Sequence, residues 1–174
     1  MPLTKNAFLT QQLKEIKFEE NRITFPSFSP PNSYIASIAS SLIREKLIDS
    51  KTSFTFETVM SSDDKIRALE RAQDVGFKNY LYYIATDDPD INIQRVQNRV
   101  RAGGHSVPEE KIRQRYYRSL NLLLDAIRFS DRAFIFDNSG NENIWLAEVT
   151  PTGNIDIKVD EVPDWFYNSI FLKI

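Results

Sequence analysis

Between Arg95 and Arg118 lie six arginines and Lys111, opposed only by Glu109 and Glu110. That stretch carries a local charge of +5 in a chain whose net charge is −2. One basic segment on an otherwise acidic protein suits a localised anionic ligand such as phosphate. The pattern runs Arg95, Arg99, Arg101, the pair Gly103-Gly104, His105, Pro108, Lys111, Arg113, Arg115 and Arg118. Planar guanidinium groups match phosphate oxygens and can stabilise charge developing on a phosphoryl group in transfer. Two arginine-bearing helices hinged at glycines would make a mobile lid. A solvated helical surface held by (i, i+4) pairs would have the same composition. His105, beside the hinge, is either an acid–base group or a residue that supports the turn by hydrogen bonding.

A second set of polar residues follows three apolar runs: Glu57-Thr58 after FTF, Thr86-Asp87 after YYIA, and Asp137-Asn138 after FIF. Ligands of open parallel sheets bind beyond the carboxyl ends of the strands. A carboxylate there can orient a substrate hydroxyl, hold the water shell of a magnesium ion or act as a base. The same residue types also start loops and cap helices. Tyr80, Tyr82, Tyr83 and Tyr116 read as core, and Trp145 and Trp165 as packing for the C-terminal strands rather than as a sugar or base pocket.

Composition removes several classes. There is no cysteine, so disulfides, thiolate metal sites and cysteine nucleophiles are excluded, and a single histidine excludes a multi-histidine zinc site. No apolar run approaches the ~18–20 residues that cross a bilayer, and the N-terminus has no secretory pattern. The expected location is the cytoplasm, with no membrane partner. A pI near 5.5 argues against nucleic-acid binding.

These residues need a scaffold, and the punctuation of the chain predicts one. A short helix is expected at 8–18, a short strand at 22–25 and a proline-rich connector at 25–31. Helices are expected over 34–48, 63–75, 88–101 and 108–128, with Gly76 and Gly103-Gly104 as stops and Asp88-Pro89 as a start. Strands are expected at 53–58, 79–85, 132–136, 144–149 and 155–159, and a short helix near 165–171. The run NYLYYIA reads as a strand buried on both faces. Strands alternating with crossover helices predict an α/β fold with a mainly parallel sheet.

Three stretches together carry a resemblance: SFTFETVMSS (53–62), RVQNRVRAGGHSVPEEKIRQRYYRSL (95–120) and FIFDNS (134–139). In order and spacing, from about Asn32 to Gly140, they resemble the zeta-toxin-like branch of P-loop kinases. The resemblance implies an ATP- and magnesium-dependent small-molecule kinase, a UDP-activated amino sugar as substrate, and an antitoxin-like protein as partner. It places Glu57 and Thr58 in the substrate and nucleotide cleft. Arg99 or Arg101, with Arg113 or Arg115, become lid arginines on the ATP phosphates. His105, Asp137 and Asn138 remain further site residues.

The sequence also departs from that pattern. Its first glycine is Gly76, and it contains no Gly-Lys pair, so the loop GxxxxGK[ST] that cradles phosphates in the family is not among these residues. The chain is therefore expected to be a partial P-loop kinase-like domain over 1–174. Within it, 1–31 resembles a variable insert and 95–118 is the lid. It is expected to lack the first strand–helix unit and to be inactive alone. A non-catalytic nucleotide- or partner-binding module is the alternative. Loss of a strand near the middle of the sheet predicts low solubility, self-association across the gap, or a strand borrowed from the N-terminal region.

Overall fold

A computed structural model of the chain describes residues 17–19, 22–24 and 33–173. It divides into two compact units, Met1–Leu47 and Ile48–Ile174. The first contains an antiparallel pair, β1 (Lys17–Glu19) and β2 (Arg22–Thr24), and most of helix α1 (Ser33–Asp49). The helix expected from Phe8 falls outside the described residues up to 16, and Lys17 and Phe18 belong to β1 instead. The proline-rich connector also lies outside them.

The second unit runs α2 (Asp64–Asp74), β3 (Tyr80–Ala85), α3 (Pro89–Arg101), α4 (Glu109–Arg128), β4 (Arg132–Asp137), β5 (Ile144–Val149), β6 (Ile155–Ile157), α5 (Asp164–Ile170) and a 3-10 turn (Phe171–Lys173). Local chemistry sets several of these ends. The Asp88 side chain accepts a hydrogen bond from the Asp90 N–H at 2.6 Å, and Pro89 opens α3 with its φ already helical. Gly76 (φ 93°) and Gly103 (φ 90°) take the left-handed conformation that stops α2 and α3.

Strand order is β3-β4-β5-β6, with β3 and β4 parallel and the other two junctions antiparallel. The α/β class read from the sequence is the class the chain adopts. The sheet is mixed and not mainly parallel as expected, because α3 and α4 return the chain to lie parallel beside β3, whereas short hairpins follow β4. The core lies on one face of this sheet. Leu123 and Ala126 of α4, with Phe166 and Ile170 of α5, pack against Tyr83, Ala133, Ile135 and Ala147, all of them buried.

Two expectations about strands change. Residues 53–58 lie in no strand of either sheet, since an extended segment becomes a strand only through a ladder partner. The run YLYYIA is buried on one face only. Alternate residues point opposite ways, so Tyr83 and Ala85 enter the core while Tyr80, Tyr82 and Ile84 remain 59%, 65% and 56% exposed. Among the described residues β3 has β4 as its strand neighbour and an open second edge. Its outer face is organised by stacking of Tyr82 on Phe134, with ring centroids 4.9 Å apart.

The start of β3 is clamped from three sides. Asn79 is buried, and its Nδ2 donates to the carbonyls of Leu69 at 2.8 Å and Phe129 at 2.7 Å. Its backbone N–H donates to Asp131 Oδ2 at 2.9 Å, and its carbonyl accepts from the Asp131 N–H at 2.8 Å. The lysine ammonium of Lys78 hydrogen-bonds Asp131 and holds that carboxyl below its usual range; Asp131 raises Lys78 in return.

Candidate functional site

A cleft of about 1210 Å³ opens between the extended segment Phe54–Met60, helix α2 and strand β3, and continues under α3 and α4. Small-molecule pockets usually occupy ~300–1,000 Å³, so the cleft is large enough for a small-molecule ligand. Its floor is apolar, with Ala68, Leu69 and Ala72 of α2 facing Leu81 and Tyr83 of β3. Its polar end lies where β3 finishes, which is where strand-end logic expects a ligand.

Helical spacing decides which side chains reach that end. On α3 the lining residues are Asn92, Arg95, Val96 and Arg99, and on α4 they are Ile112, Arg115, Tyr116, Ser119 and Leu120. Both sets follow the i, i+3, i+4, i+7 pattern of one helix face. Arg101 and Arg113 lie two residues off the stripe and line other surfaces. Arg101 donates to Asn98 Oδ1 at 2.9 Å, and Arg113 forms an ion pair with Asp90. Arg115, in contrast, is half-buried and makes no hydrogen bond or ion pair with any described residue. Arg99 lines the cleft and donates to the His105 carbonyl at 3.3 Å, so the lid turn is tied back to its own helix. Gly104 makes that approach possible, since a Cβ there would meet Arg99 Cγ at 2.7 Å.

Glu57 and Thr58 face the cleft from the opposite wall, both exposed, and Thr58 Oγ1 accepts from the Met60 N–H at 3.1 Å. Met60 itself has φ 51°, a left-handed conformation uncommon outside glycine, at the point where the segment turns into the core. His105 also borders the cleft and is exposed. Thr86 is buried at the end of β3, accepting from Asn92 Nδ2 at 2.7 Å and donating to the Asp88 carbonyl at 3.2 Å. Tyr116 spans from α4 to donate to the carbonyls of Thr86 at 2.8 Å and Asp87 at 3.0 Å. Burial, then the Asp87 charge, pushes its phenol well above the ordinary value. Burial likewise pushes Tyr83 up to about 12, while it shares a 3.0 Å hydrogen bond with Ser119.

The two residues of the third strand end part company. Asn138 lines the cleft. Asp137 is buried behind it, with donors on both oxygens: the Ser139 N–H, the Ser139 hydroxyl and the Trp165 indole. Arg95 of the arginine pattern belongs to the lining, and so does Asn92, which only its spacing on α3 could have singled out. Among the described residues no three His, Asp or Glu side chains gather in a group that could hold a metal ion. No helix among them is long and apolar enough to cross a membrane.

A parallel strand pair with helical crossover, and a cleft lined by Arg95, Arg99 and Arg115 at its carboxyl end, define an α/β domain of P-loop-kinase-like class. The family model for Zeta toxin matches residues 32–150, and the chain belongs to that family, whose members have a P-loop kinase-like fold. A segment of 63 residues is 33% identical to an uncharacterised protein of Haemophilus influenzae (strain ATCC 51907 / DSM 11121 / KW20 / Rd). The match covers 36% of this chain and 45% of that relative's length. No solved structure matches the chain.

Proposed function

We propose that these residues supply the lid and the acceptor wall of an ATP-dependent small-molecule kinase. Phosphoryl transfer would then need a phosphate-gripping turn that the 174 residues do not contain. The observation that carries the reading is that Arg95, Arg99 and Arg115 line one cleft together with Glu57 and Thr58. ATP with magnesium, when bound, supplies the transferable phosphoryl group. Arg115 and Arg99 fit its phosphate chain as charge-assisted donors, and Glu57 fits an acceptor hydroxyl, which it would orient across the cleft. A UDP-activated amino sugar is the acceptor class that the family resemblance supports. The fit is partial: with no Gly-Lys pair in the sequence, no loop amides or loop hydroxyl of that type hold the β-phosphate and the metal. The open edge of β3 and its exposed Tyr80, Tyr82 and Ile84 support self-association through that edge.

Calorimetric titration with magnesium ATP tests the reading. Arg115→Ala should weaken binding by about 10- to 100-fold, the equivalent of one hydrogen bond to a charged group. Arg113→Ala should leave binding unchanged, because that guanidinium is engaged by Asp90 off the stripe. Equal isotherms for wild type and Arg115→Ala would refute the assignment. Release of ADP with UDP-sugar present should stay at background, and sustained turnover would overturn the dependence on a further turn.

A further inference from the structure

We infer that Trp165 is a positioning residue for the cleft: through the Asp137 carboxylate it fixes the turn at 137–140 that holds Arg95. The consequence for ligand affinity rests on the anion-binding reading above, whereas the coupling itself does not.

Asp137 closes β4 and is buried. Its Oδ1 accepts from the Ser139 N–H at 2.8 Å and its Oδ2 from the Ser139 hydroxyl at 2.9 Å. Those donors belong to the turn that the carboxylate organises, a local pattern typical of Asp two residues before an N–H. They shape the turn, which is tied to β3 and the loop after it through Ala85 and Asp87. The third donor ties its carboxylate to α5. Trp165 Nε1 donates to Oδ2 at 2.7 Å from α5, and the indole is itself immobilised, buried edge-on against Phe166 and tilted against Tyr83.

The other side of the turn faces the cleft. Arg95 Nη2 donates to the Asn138 carbonyl at 2.7 Å and to the Gly140 carbonyl at 3.3 Å, with Asn138 Oδ1 at 3.4 Å. The Asn138 N–H donates to the Ala85 carbonyl at 2.8 Å, and the Asp87 N–H donates to Ser139 Oγ at 2.7 Å. One buried indole N–H thus stands behind the turn that fixes both a cleft guanidinium and the loop after β3. Trp165 lies outside the family-matched residues 32–150, so the C-terminal helix contributes to the site as well as to the core.

Trp165→Phe removes the donor and keeps a ring. In the full chain, nitrogen NMR of the Arg95 guanidinium should change from a restrained to a freely rotating signal, while the thermal transition remains cooperative. Affinity for inorganic tripolyphosphate should fall about three- to tenfold. Added to Arg95→Ala, the substitution should cost nothing further, because both act through one guanidinium. A purely structural role predicts a lower melting temperature with an unchanged Arg95 signal, and that result overturns the inference, as does full additivity with Arg95→Ala. If wild type binds no tripolyphosphate, the anion-binding reading fails and the Arg95 signal still decides the coupling. Should Trp165→Phe fail to fold, Asp137→Ala removes the acceptor of the same link and must release Arg95 in the same way; a restrained Arg95 in that variant overturns the inference.

Discussion

Asn79 is the side chain on which the wall of the cleft depends most, and replacing it with alanine gives a calculable loss. The residue is 8% exposed and its amide spans two carbonyls, Leu69 in α2 and Phe129 at the end of α4. Phe129 follows the last helical residue, where carbonyls have no intrahelical partner, so its oxygen depends on this donor. Two neutral hydrogen bonds contribute ~1 kcal/mol each, and leaving a buried carbonyl unsatisfied adds about another, giving a loss of about 2–3 kcal/mol. The two backbone bonds to Asp131 do not involve the side chain, so β3 should keep its start and the fold should survive. With a urea slope of ~1–3 kcal/mol/M, the unfolding midpoint of the sheet unit should fall by roughly 0.7–3 M, without change in slope. Asn79→Asp should do worse, since a carboxylate would face two carbonyl oxygens with no donor to offer. A loss below ~0.5 kcal/mol at unchanged slope would refute the clamp, placing it among ordinary surface substitutions.

Gly104→Ala would set a Cβ 2.7 Å from Arg99 Cγ and 3.0 Å from the Arg99 carbonyl, so the Arg99 side chain must shift; magnesium ATP affinity should drop, and retained affinity would count against an Arg99 contact. Asp131, held low by Lys78, contributes stability above the unfolded carboxyl value of ~3.9 that is lost as pH falls through its lower native value. Asp131→Asn should therefore flatten the acid limb of the stability curve, and an unchanged limb would contradict the ion pair's role. Lys78 has the opposite sense: its contribution is complete below 10.5 and fades as pH rises through its higher native value. Tyr83 should stay protonated until about pH 12, so part of the tyrosinate absorbance should appear only as the protein unfolds in alkali; complete titration near pH 10 of the folded chain would be the contrary result. Tyr82→Lys, placing charge on the open edge strand, should lower the association measured by sedimentation, and an unchanged distribution would move any self-association elsewhere.

Much of this was written in the sequence. Proline, glycine and capping residues marked α3 at Pro89–Arg101 and β5 at Ile144–Val149, because those signals act within a few residues of the boundary they set. The sequence left Arg99 against Arg101 and Arg115 against Arg113 open, and the placement of each helix face decided which of them line the cleft. Residues two apart on a helix point away from each other, and Arg95 with Arg99, or Ile112 with Arg115 and Tyr116, share a face.

What the sequence could not decide depends on partners far along the chain. FTFET has the composition of a strand, yet a strand exists only beside another, and residues 53–58 lie in no strand of the sheet. YLYYIA has the apolar run of a doubly covered strand, but it is covered on one face only, and Tyr80, Tyr82 and Ile84 on the other face stay exposed. Asp137 continues the buried face of β4 set by Ala133 and Ile135, whereas the indole donor that its carboxylate accepts arrives only with Trp165 from α5. Helix faces follow from local spacing, whereas ladder partners and the donors of a buried carboxylate are fixed by tertiary packing.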